Sequence, residues 1–179
     1  MTWEKGSNVQ FKNSRVTAFL DRLATVAGEQ GYTIYVTSGY RSPEDQARVV
    51  CENYQNTAGA NLSVYGTQTR SMYQTYCPSD MEKLVEFERQ KTANRIANDP
   101  TYQSHGTGDA VDISIANLTH AQRVHFKSII EELGAEVLWE TSPLHFHIWL
   151  RDFKPPSSNG LLLLSVVGLS VGTYLLWRQ

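Results

Sequence analysis

The chain has 179 residues, with 16 Lys and Arg against 18 Asp and Glu, for a formal net charge of −2. That length allows one domain with a sizeable core plus an appendage, and the missing basic excess argues against nucleic acid as a partner. The two cysteines, Cys51 and Cys77, lack zinc-type C-x-x-C spacing. They are either free thiols or one bridge worth roughly 3 kcal/mol in the chain-entropy model.

Residues 1–12 show no usable period, and Met1 to Gly6 has no apolar run, so no secretory signal peptide is expected. From Ser14, the apolar residues Val16, Phe19, Leu20, Leu23, Val26 and Ala27 recur at helical spacing, with Gly28 and Gly31 at the end. Tyr32 to Ser38 alternates and is rich in β-formers, which predicts a strand. Ser42 as N-cap and Pro43 at the first helical position then start a helix to about Tyr54. Residues 55–78 are polar and aperiodic, which predicts a long loop within an insertion of about 55–100.

Ser79-Asp80-Met81-Glu82 resembles a capping box and opens a charged helix that ends near Asn98-Asp99-Pro100. A strand from Ala110 follows, with Ala110, Asp112 and Ser114 on one face and Val111, Ile113 and Ile115 on the other. Thr119 to Gln122 forms another capping box, and Phe126, Ile129, Ile130 and Leu133 supply that helix's buried stripe up to Gly134. Strands at Ala135–Trp139 and His145–Arg151 are joined by a turn containing Ser142 and Pro143. The pattern predicts an α+β fold, a small mostly antiparallel sheet with flanking helices.

After a polar linker at 154–159, residues 160–177 form 18 residues without a charge. As a helix this run spans roughly 27 Å, enough for a hydrocarbon core, so one C-terminal transmembrane helix is expected. Gly168 and Gly172 form a G-x-x-x-G, a motif for self-association in lipid. Arg151 and Lys154 before the run, against Arg178 after it, lean towards a cytoplasmic domain.

Chemistry concentrates in two places. His105 and Asp112 stand seven residues apart across a glycine-containing turn, and Asp112 lies inside a strand that otherwise reads as core. A buried carboxylate needs a partner, and a metal is the strongest available. The second place, Leu144 to Trp149, carries His145 and His147 on one face. His105, Asp112 and His147 would make an N/N/O set, the ligand count of a catalytic zinc that keeps a position for water. His120 and His125 fall on the intervening helix, at its surface or at the edge of the core.

These residues carry a resemblance. His105-x-x-Gly108-x-Ala110-x-Asp112 resembles the zinc signature of the LAS superfamily, which holds D-alanyl-D-alanine carboxypeptidases and dipeptidases, L-alanyl-D-glutamate endopeptidases and the hedgehog signalling domain. Ser38-Gly39-Tyr40-Arg41-Ser42 with Gln46 resembles its upstream motif, and Trp139-Glu140 with His145-x-His147 its C-terminal one. The resemblance implies a peptidase domain over about 1–153, with Zn2+ held by His105, Asp112 and His147. It makes Glu140 the general base, gives His145 a role in stabilising the intermediate or positioning that base, and has Arg41 bind a substrate carboxylate or carbonyl. The substrate would be a peptidoglycan stem peptide. A hedgehog-like, zinc-stabilised binding domain with little hydrolysis is the alternative.

The sequence departs from the family pattern twice. Gln103 replaces the serine two places before the first histidine. Many members also place an acid three residues before the last ligand, where this chain has Leu144 or Ser142. Glu140 lies seven residues before His147, nearer to the hedgehog arrangement. Asp109 is expected either to support a ligand histidine or to serve the turn. A membrane-held domain without a signal peptide needs its own route to the wall, such as a phage protein in a virion membrane or one released at lysis.

Overall fold

The computed structural model of the chain describes residues 2–141 and 144–155. The predicted membrane helix at 160–177, with Gly168 and Gly172, lies outside these residues, as do most of the linker and the turn residues Ser142 and Pro143. Among the described residues, no helix is long and apolar enough to cross a membrane.

The elements run β1 (Glu4–Lys5), α1 (Ser14–Glu29), β2 (Tyr35–Ser38), α2 (Pro43–Asn56), α3 (Thr67–Tyr76), α4 (Met81–Asn98), β3 (Ala110–Ser114), α5 (His120–Glu132), β4 (Glu136–Thr141) and β5 (Leu144–Trp149). The five strands form one sheet in the order β1-β2-β3-β5-β4. Only the β1–β2 pair is parallel, so the α+β, mostly antiparallel expectation holds.

One face of the sheet packs on α1 and α5. Val111 and Ile113 of β3 and Phe146 and Ile148 of β5 meet Phe19, Leu20 and Leu23 of α1 and Phe126 and Ile130 of α5. Burial of each such side chain contributes about 1.5–3 kcal/mol. The alternate residues of the same strands, Asp112, His145 and His147, fall on the opposite face.

Local capping explains several boundaries. Asn13 caps α1 by accepting from the Arg15 N–H, and Ser42 caps α2 by accepting from Asp45. Thr119 and Gln122 form the predicted capping box at α5. At α4 the expectation shifts by one residue. Asp80 accepts from the Lys83 N–H, whereas the Ser79 hydroxyl donates to the Tyr76 carbonyl.

The long loop predicted at 55–78 is corrected. A 3-10 turn spans Ala60–Val64, and α3 follows it. Helix α3 buries only Thr69 and Tyr73, too thin a stripe to give a readable period. Tertiary ties hold it instead. Cys51 of α2 is disulfide-bonded to Cys77, just past α3, and the Tyr73 hydroxyl donates to Glu88 of α4 at 2.9 Å. Together α2, the 3-10 turn, α3 and α4 enclose a second apolar cluster around Val50, Leu62 and Leu84.

Candidate metal centre

The upstream motif supplies a carbonyl as well as a side chain. Gly39 follows β2, and a Cβ at this position would lie 2.3 Å from the Gln10 carbonyl oxygen, so only glycine fits. This close packing aims the Gly39 carbonyl at His105, whose Nδ1 donates to it at 2.6 Å. Arg41, two residues on, donates its backbone N–H to the His105 carbonyl at 3.1 Å. Gly108, at φ +87°, turns the chain from His105 into β3.

On β3, Asp112 stands opposite His147 of β5. One carboxylate oxygen lies 2.7 Å from His147 Nδ1, and the other lies 3.1 Å from His105 Nε2. The ligand atoms of His105, Asp112 and His147 fall within 4.8 Å of one another, so the three can hold one metal ion. The remaining predicted residues gather around them. Arg41 places a guanidinium nitrogen 3.5 Å from Asp112, and His145 Nε2 lies 3.7 Å from it. His145 Nε2 is also 3.5 Å from Glu140. All six sequence-predicted residues therefore share one site.

The donor chemistry fits a cation. A carbonyl oxygen can only accept, so the Gly39 contact keeps the His105 proton on Nδ1. With its proton on Nδ1 held by Gly39, His105 turns Nε2 towards an Asp112 oxygen at 3.1 Å, a contact that a proton or a cation between the two atoms makes favourable. A zinc ion satisfies this nitrogen, the carboxylate and the second histidine together. Burial works to raise the Asp112 carboxyl. The hydrogen bonds and charge of His105 and His147 outweigh it and hold the group well below the usual carboxylate range.

Other expectations resolve plainly. Asp109 accepts from Asn13 Nδ2 at 2.6 Å, which ties the turn to the start of α1. His125 Nδ1 contacts the Tyr32 hydroxyl and His120 lies against the Trp139 ring, both outside the site. Two features escaped the sequence reading. The Gly39 carbonyl has no side-chain signature, and Glu88 is one charge among many on the charged helix α4. Glu88 is in fact only 2% exposed, held by Tyr73 and by Lys91 at 2.5 Å.

A family model for D-alanyl-D-alanine carboxypeptidases of the VanY type matches residues 10–140. The chain belongs to this family, within the LAS zinc peptidase superfamily, and membership indicates a peptidase acting on peptidoglycan. The match takes in Arg41, His105, Asp112 and Glu140 and stops short of His145 and His147. Comparison with curated proteins and with solved structures gives no match.

Proposed function

We propose that the protein is a zinc-dependent peptidase that hydrolyses an amide bond in peptidoglycan stem peptides, foremost a D-alanyl-D-alanine terminus. The observation that carries this reading is the meeting of His105, Asp112 and His147 at one point, with Glu140 and His145 at its rim.

Zinc held by His105, Asp112 and His147 would supply Lewis acidity, lowering the pKa of a water to about 7 and polarising the scissile carbonyl. Glu140, whose side chain is 41% exposed, is open to solvent at the rim of the site and would take the proton of the attacking water. It returns the proton to the leaving amine. His145 lies between Glu140 and Asp112 and fixes where the base points. Arg41 is partly exposed while paired to Asp112, and its remaining N–H groups suit a substrate carboxylate. No covalent enzyme intermediate is required.

The Cys51–Cys77 disulfide favours an oxidising compartment, where the wall lies, over the cytoplasmic placement suggested by the charges flanking residues 160–177. We read that segment as an anchor that holds the domain at a membrane surface. Glu140 beside His145 favours hydrolysis over the hedgehog-like binding alternative. The test is hydrolysis of a synthetic stem peptide ending in D-alanyl-D-alanine. Activity that is lost on chelation, restored by zinc and missing in Glu140→Gln supports the reading. A folded, zinc-loaded wild type that binds the peptide without cleaving it moves the assignment to the binding domain.

A further inference from the structure

The edge strand β4 brings one apolar side chain to the site. Alternation along β4 sends Val137 and Trp139 onto the core, while Leu138 between them faces the other way and is 47% exposed. A single exposed leucine has no meaning by itself, so its place decides. Leu138 stands directly across the β4–β5 ladder from His147 and two residues along the strand from Glu140. Residues paired in this way hold their Cβ atoms about 5 Å apart, so Leu138 borders the metal triad. The half-buried ring of Trp149 flanks His147 on the same sheet face, with ring centroids 4.5 Å apart. Leu138 and Trp149 thus lend an apolar margin to a face that otherwise carries Asp112, His145, His147 and Glu140.

The order of the strands gives the substrate a direction. Arg41 lies just past β2, Asp112 on β3, His147 on β5 and Leu138 on β4, and these strands are successive neighbours in the sheet. With the terminal carboxylate at Arg41 and the scissile amide over Asp112 and His147, the acyl side of the peptide continues towards β4. Neighbouring strands lie about 4.8 Å apart and an extended residue spans about 3.4 Å, so the residue on the acyl side of the scissile bond comes within reach of Leu138. We propose that Leu138 is a specificity-determining residue that forms, with Trp149, an apolar subsite for the side chain of this penultimate residue, the methyl of a D-alanine. The inference rests on the peptidase reading and adds to it the contact that selects the acyl-side residue. A methyl group enclosed by apolar neighbours discriminates about tenfold or more against the substrate that lacks it.

The test uses the zinc-loaded full chain with two peptides that differ only in ending with D-alanyl-D-alanine or glycyl-D-alanine. Leu138→Thr keeps a strand-forming residue and removes most of the apolar body. We expect the wild type to prefer the first peptide about tenfold in kcat/KM, and Leu138→Thr to bring that ratio below about threefold with zinc affinity unchanged. A wild type that treats the two peptides alike overturns the inference. So does a ratio that Leu138→Thr leaves in place, even where both rates fall together, as a packing defect would make them. A lower ratio accompanied by weaker zinc binding marks an effect through His147 and overturns it as well. If the wild type cleaves neither peptide, the peptidase reading fails by itself and calorimetry decides the role of Leu138. Binding about tenfold tighter to the D-alanyl-D-alanine peptide in the wild type, and nearly equal in Leu138→Thr, upholds it, whereas the same ratio in both proteins, or no binding, overturns it.

Discussion

Glu140 stands directly across the β4–β5 ladder from His145, and their side chains approach to 3.5 Å. Along the chain Glu140 is seven residues from His147, a spacing that fits the common acid position of the family poorly. The hairpin removes the difficulty. Leu138 pairs with His147 and Glu140 with His145, so the acid lies on the same sheet face as the metal triad. Glu140→Gln should therefore lower kcat about 10²- to 10⁴-fold and leave zinc affinity unchanged. Steady-state kinetics with zinc titration checks both parts, and an equal loss of zinc would make Glu140 a ligand instead.

Gly39 links the backbone to the metal centre. Gly39→Ala places a Cβ 2.3 Å from the Gln10 carbonyl, a clash with backbone that no side-chain rotation relieves. Overpacking of this kind costs about 1–3 kcal/mol. Because the Gly39 carbonyl also orients His105, zinc affinity should fall about 10- to 100-fold. Denaturant unfolding and zinc titration measure the two effects.

The disulfide stabilises the insertion. Replacing both Cys51 and Cys77 by serine should lower stability by about 3 kcal/mol. The loss should appear first as faster amide exchange in α3, which buries little apolar surface of its own. Uniform exchange across the chain would place the stabilising effect elsewhere.

Tyr73 predicts an alkaline effect. Its phenol is fully buried, and burial followed by Glu88 pushes its ionisation far up. The folded value lies above the unfolded one, so this contribution is complete below about pH 10 and lost as pH rises beyond it. Tyr73→Phe should cost about 1 kcal/mol at neutral pH, through the lost bond to Glu88, and this deficit should shrink towards pH 11. Unfolding curves at the two pH values test it.

What the sequence made legible divides along physical lines. Capped helices were readable because Ser42, Thr119 and their partners act within one turn. The triad was readable because His105, Asp112 and His147 sit at fixed offsets on or beside strands. Helix α3 was not, since its support comes from Cys51 of α2, through the bridge to Cys77, and from Glu88 of α4. Strand β1 is two residues long and rests wholly on its ladder to β2, so no local pattern announces it. The place of Glu140 depended on strand register, which is not written in local spacing.

The most direct measurement of the central claim is mass spectrometry of purified sacculi after incubation with the zinc-loaded full chain, beside Glu140→Gln and His147→Ala. The account predicts stem peptides shortened by one terminal D-alanine with wild type, and unchanged with both variants. Intact stem peptides after exposure to a folded, zinc-loaded wild type would contradict it.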